Sequence, residues 1–203
     1  MTMMKNVAGK KRCAAFFLAA AIGTGSFMGM QMLPGTAQGL QLGNEAVMVQ
    51  AASKPSAATL AAAVKKAYGD DYLPAYLLGE SEIKDRYGVS GSWYASSYAE
   101  VPLMTAHVDE LVIFKAKNKD SGKKILKALK KYQKQLKEST LNYPMNQLKI
   151  QASRVYKNGD YICFIMLGRI SSQTEENGGE EDIIKAYQKQ NNKAVKAIKK
   201  QLK

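Results

Sequence analysis

The stretch Leu148-Lys-Ile-Gln-Ala-Ser-Arg-Val-Tyr156, Lys157-Asn158-Gly159-Asp160, Tyr161-Ile-Cys-Phe-Ile-Met-Leu167 decides the fold. Asn-Gly between two β-rich runs is a strong hairpin signal, because a type I′ turn needs positive φ at both central residues. Such a turn sets Lys157 opposite Asp160, Tyr156 opposite Tyr161, Arg154 opposite Cys163, Ala152 opposite Ile165 and Ile150 opposite Leu167. One face then carries Leu148, Ile150, Ala152, Cys163, Ile165 and Leu167, the expected floor of the core.

Upstream, Ser121 is placed to cap a helix running to Glu138. Ile125, Leu129, Tyr132 and Leu136 recur at helical spacing along it, and eight lysines line residues 119–137. Asn142-Tyr143-Pro144 breaks that helix. Asp109 to Lys117, with Leu-Val-Ile-Phe inside, reads as a short buried strand, and Trp93 to Val101 as a half-exposed one. Ser56 and Pro55 start a helix over 57–68 that Gly69 ends, and residues 81–87 form a second helix closed by Gly88. Downstream, residues 171–179 are polar with two glycines and read as a linker. Residues 180–203 read as a lysine-rich amphipathic helix whose apolar stripe is interrupted by Asn191. Glu180, Glu181 and Asp182 stand at its start, where the helix dipole favours negative charge. The spacing predicts α+β architecture in the order α-α-β-β-α-β-β-α: an antiparallel sheet of about four strands with packed helices, its domain spanning residues 57–170 and the last helix following at 180–203.

The start of the chain has a different character. Lys5, Lys10, Lys11 and Arg12 precede an apolar run from Cys13, and Gly35 and Ala37 form a small-residue cleavage signal. Residues 1–37 are therefore expected to be a signal peptide. The rival is an uncleaved anchor, because Cys13 to Leu33 is uncharged and long enough to span a bilayer. The Gly, Ser and Thr in its second half count against that. Residues 38–56 read as a linker. With four basic residues removed with the leader, 26 basic and 17 acidic residues remain, a net charge of +9. A basic surface favours anionic partners. Of the two cysteines only Cys163 survives cleavage, so no intramolecular disulfide is expected.

The chemistry-bearing residues are few. His107 and Asp109 form a His-x-Asp pair in which a carboxylate could orient an imidazole. Cys163 is a nucleophile only if exposed beside a positive charge, and its apolar neighbours favour a buried thiol. Trp93, Tyr94 and Tyr98 with Lys115 and Lys117 are the candidate binding face. The carboxylates from Asp70 to Asp85 match no calcium loop, and one histidine with one cysteine makes no ordinary transition-metal site. No phosphate loop and no Gly-x-Ser-x-Gly occur, so no metal or cofactor is expected.

Over Ala61 to Gly168 the sequence resembles an uncharacterised family of exported proteins from Gram-positive bacteria, defined as a domain of unknown function. The resemblance lies in Tyr72-Leu73-Pro74, Tyr87-Gly88-Val89, Glu100-Val101-Pro102-Leu103-Met104, the run His107 to Ala116, Tyr143-Pro144 and the Asn158-Gly159 hairpin. Many members are lipoproteins; this chain lacks the cysteine that lipidation requires just after the apolar run. The resemblance implies export and a compact α+β domain, and brings no activity. The expectation is a secreted or envelope-associated, non-enzymatic domain that binds a protein or an anionic envelope component. No nucleic-acid partner is expected, and membrane contact comes only through an uncleaved leader. The alternatives are a hydrolase using His107 or Cys163, and a tethered subunit that pairs through its last helix.

Overall fold

The computed structural model describes residues 54–104, 106–139 and 142–203. The leader, and all of the linker before Lys54, lie outside the described residues. Five antiparallel strands form one sheet: β1 (Tyr76–Leu77), β2 (Tyr94–Val101), β3 (Glu110–Ala116), β4 (Arg154–Asn158) and β5 (Tyr161–Met166), in the order β1-β2-β3-β5-β4. Among the described residues there are six α-helices: α1 (Ala57–Tyr68), α2 (Glu80–Tyr87), α3 (Lys119–Glu138), α4 (Pro144–Gln151) and α6 (Glu180–Gln201) form the helical layers around it, and the short α5 (Ser172–Asn177) lies against α6.

The α+β class holds, but the sheet is sandwiched where the sequence suggested one buried face. On β3 and β5, Leu111, Ile113, Tyr161, Cys163 and Ile165 point into a core shared with α1 and α6. The alternate residues Val112, Phe114, Ile162, Phe164 and Met166 point into a second core with α2, α3 and α4. Strands buried on both faces read as continuous apolar runs, and Leu111–Phe114 and Tyr161–Leu167 do so.

The hairpin forms with a different turn. Asn158 pairs with Tyr161 and Tyr156 with Cys163, so Gly159 and Asp160 are the two loop residues. Gly159 has φ +56, and among the described residues no non-glycine residue has positive φ. That is the type II′ requirement, with glycine first, and not the type I′ turn with Asn158 first. The partner shift is two residues, so every side chain of β5 keeps its expected face. Arg154 consequently pairs with Ile165 and not with Cys163.

The first strand of the hairpin is also shorter than the pattern suggested. Residues 144–151 are helical, opened by Pro144 at its first position. Ile150 thus reaches the α2–α4 core from a helix. Further differences are local. Asn118 caps α3, its Oδ1 accepting the Ser121 N–H at 2.9 Å, so the helix starts before Ser121. Trp93 ends a 3-10 turn ahead of β2, and α5 occupies part of the stretch read as a linker.

Helix α6 docks on the domain through Tyr187, Asn191, Ala194, Val195 and Ile198. Asn191, 1% exposed, is the join. Its Oδ1 accepts the Leu167 N–H at 2.9 Å and its Nδ2 donates to the Ala152 carbonyl at 2.9 Å, closing backbone groups beyond β5 and before β4. The polar interruption of the stripe is therefore an internal staple and not a register device for a partner helix. Asn191→Ala would leave a buried N–H and a buried C=O unpaired and should cost about 3 kcal/mol. Urea denaturation of the full chain checks this as a lowered midpoint at unchanged slope.

Candidate functional site

The residues singled out in sequence are not gathered into one site. His107 is exposed in the loop before β3. Asp109, 1% exposed, turns inward: its Oδ2 accepts from Lys149 Nζ at 2.7 Å and its Oδ1 from the Gly168 N–H at 3.1 Å. Both carboxylate oxygens already have internal partners. Gly168 tolerates this approach because it has φ +93, and a Cβ there would press on Tyr68 and Gln190 at 3.0 Å. Cys163 is fully buried, and burial pushes its thiol up to about 12, so it stays protonated and shielded.

The aromatic candidates divide between the two faces of the sheet. Trp93 and Tyr94 pack toward α3, with the Tyr94 ring 5.2 Å from Phe114. Tyr98 packs toward α1 and donates to Glu100 Oε2 at 2.7 Å. Lys115 donates to the Lys54 carbonyl at 2.8 Å, and Lys117 is exposed beyond β3. No single stacking platform results.

Two further carboxylates, not singled out in sequence, are buried in the sheet. Glu100 on β2, 5% exposed, accepts from Lys65 Nζ at 2.8 Å and from the Tyr72 and Tyr98 hydroxyls, each at 2.7 Å. Glu110 at the start of β3, 2% exposed, accepts from Tyr132 Oη at 2.8 Å, from Tyr87 Oη at 3.3 Å and from the Arg86 guanidinium. Each carboxylate thus has one cation and two tyrosine hydroxyls, on opposite faces of the sheet. Burial raises Glu110 above its usual 4.5 despite Arg86 and the tyrosines, and raises the Tyr72, Tyr87 and Tyr132 hydroxyls strongly. The sequence signal was present, since Glu100 and Glu110 each abut apolar strand residues. Reading Glu110 as a strand-ending charge missed it.

The accessible chemistry lies on the outer side of α1 and α6. These helices run antiparallel: Tyr68, ending α1, donates to the Gln190 carbonyl, and Pro55, before α1, lines a hollow with Leu202, after α6. Between them is a groove of about 440 Å³ lined by Lys66, Lys193, Lys196 and Lys200, with Ala63, Ala67 and Ala197 between the lysines. A second hollow of about 330 Å³ shares Lys193 and Lys196 and adds Lys189. All five lysines are exposed, no carboxylate lines either hollow, and none of the five is in an ion pair among the described residues. Lys193 lies 5.0 Å from the centre of the Tyr68 ring, which leans it over α1.

A family model described as a domain of unknown function (DUF4358) matches residues 67–167. This segment belongs to that family. It contains the sheet, α2, α3 and α4, whereas nearly all of α1 and the whole of α6 lie outside it. No curated protein and no solved structure matches the chain. Among the described residues there is no cluster of three metal-ligating side chains, and no helix is long and apolar enough to cross a membrane.

Two outcomes follow from the buried groups. Arg86→Gln should cost roughly 2 kcal/mol at pH 7, below the 3–5 of a fully buried pair because the guanidinium side is solvent-accessible. Glu110 has its folded pKa above its unfolded one, so its contribution to stability falls as pH rises through that range. Removing Arg86 raises the folded value further. The R86Q loss should therefore shrink toward pH 4 and grow toward neutrality in denaturation curves. Separately, Cys163 should be silent to a thiol reagent in the native protein at pH 8 and react fully once the chain is unfolded.

Proposed function

We propose that this protein is an extracytoplasmic, non-enzymatic binding domain whose ligand is an anionic component of the cell envelope. One observation carries the reading: four exposed lysines line the groove between α1 and α6 and a fifth lines the adjoining hollow, with no acidic partner among the described residues. In its interior the fold neutralises charge with care. Glu100, Asp109 and Glu110 each hold a cation within the domain. A surface that leaves its cations unpaired while burying paired ones is arranged for charge supplied from outside.

Two further points support the reading. The apolar leader with its small-residue cleavage signal directs export. The groups that would serve a hydrolase are distributed: His107 is at the surface, Asp109 is paired inside and Cys163 is sealed in the core. Catalysis by acid, base and nucleophile requires them within hydrogen-bonding reach of one another.

The test is fractionation of producing cells, followed by binding of the purified mature protein to washed envelopes. The expected protein begins near Gln38, lies outside the cytoplasm, and leaves the envelope as ionic strength rises from about 0.05 to 0.5 M, because exposed charges are screened over that range. Intact protein in the cytosol, or salt-independent retention, would overturn the reading.

A further inference from the structure

We infer that the α1–α6 groove binds a linear phosphodiester polymer with small repeating units, laid along α6. The inference rests on the anion-binding reading above and specifies its ligand.

The first ground is the geometry of the charges. Lys189, Lys193, Lys196 and Lys200 are separated by four, three and four residues on one helix. At about 1.5 Å and 100° per residue they form a row about 16 Å long within an arc of about 60°. The ammonium groups therefore recur about every 5–6 Å along a line, and Lys66 adds a cation from α1. A row of monovalent cations at that interval matches a chain of singly charged phosphodiesters. A single phosphate would engage one or two lysines and leave the rest of the row unused.

The second ground is the shape and lining of the trough. Between the lysines it presents the methyl groups of Ala63, Ala67 and Ala197. Proteins that hold single-stranded nucleic acid line their grooves with aromatic rings on which bases stack. No aromatic residue lines either hollow, so a polymer without bases fits better. A bilayer fits less well: membrane-surface helices insert bulky apolar groups beside their lysines, and α6 has no Trp or Phe.

The experiment measures binding of the full mature chain to a ten-unit glycerol-phosphate oligomer, with three comparison probes: inorganic phosphate, a ten-nucleotide oligothymidylate, and vesicles carrying about one-third anionic lipid. Two proteins of equal net charge are compared, K196Q/K200Q in the groove and K130Q/K131Q on exposed α3. Ala63→Phe is a third variant, which fills the floor and leaves the charge unchanged. The glycerol-phosphate oligomer should bind best. The groove pair should weaken it roughly thirtyfold and lower the slope of log affinity against log salt by roughly 1.4, as two lost contacts to a single strand require. The α3 pair should bind as the parent does, and Ala63→Phe should weaken binding with no change in salt slope. Equal loss in both lysine pairs, or oligothymidylate or vesicles bound as tightly as the oligomer, would overturn the groove assignment even if envelope binding persists. Loss of envelope binding altogether would instead overturn the functional reading. Thermal unfolding of each variant identifies any that has failed to fold; K189Q/K196Q then replaces the groove pair, K127Q/K130Q the α3 pair, and Ala67→Phe the floor variant.

Discussion

Burial of both faces of β3 and β5 is the constraint on which the rest of this structure depends. A central strand with apolar side chains above and below needs two layers of cover, and the chain draws one from the flanks of the sheet-forming segment and the other from within it. Helices α1 and α6 close one side, and α2, α3 and α4 close the other. Each layer removes a row of large side chains from water, and a fully buried residue of the size of Phe164 or Ile165 contributes about 1.5–3 kcal/mol. Neither layer is a single local unit. The α1–α6 layer joins elements more than a hundred residues apart.

Double cover creates a second requirement. Any charged residue near the central strands must find its partners inside the protein, because water is excluded from both faces. Glu100, Asp109 and Glu110 meet it in closely related ways. Two of them combine one cation with two tyrosine hydroxyls, and the third combines a lysine with a backbone N–H. A tyrosine suits this role, since its ring joins the apolar layer while its hydroxyl serves the carboxylate. The Tyr87 ring stands edge-on to Tyr132 at 4.8 Å, and Tyr132 to Phe164 at 5.3 Å, which ties the polar cluster into the core. The carboxylates therefore serve the architecture, and the cations left over at the surface are the ones free to meet a ligand.

Much of this was legible in the sequence where local chemistry decides the outcome. Ser56 and Gly69 bracket α1, Gly88 closes α2, and the runs around Ile113 and Phe164 mark the central strands. What failed was decided at longer range. Leu148, Ile150 and Ala152 alternate as strand residues do, yet Pro144 opens a helix over residues 144–151. The turn moved from Asn158-Gly159 to Gly159-Asp160, because only Gly159 takes positive φ. The face assignment of β5 survived that error, since a two-residue slip preserves side-chain parity, whereas Ile150 went to the opposite core from its helix. The lysine row of α6 was visible as a row of residues, but its depth was not. The groove exists only because α1, from the other end of the chain, lies alongside with Lys66 and two alanines.

The antiparallel embrace of α1 and α6 has a topological corollary. Pro55 and Leu202 share one hollow with the β4–β5 turn, so the two ends of the folded body emerge side by side. A short peptide joining residue 203 to residue 54 would make a seamless ring, and new ends opened in the exposed loop around His107 would leave both helical layers in place. A polypeptide fused at residue 54 and one fused at residue 203 would thus meet this body on the same side.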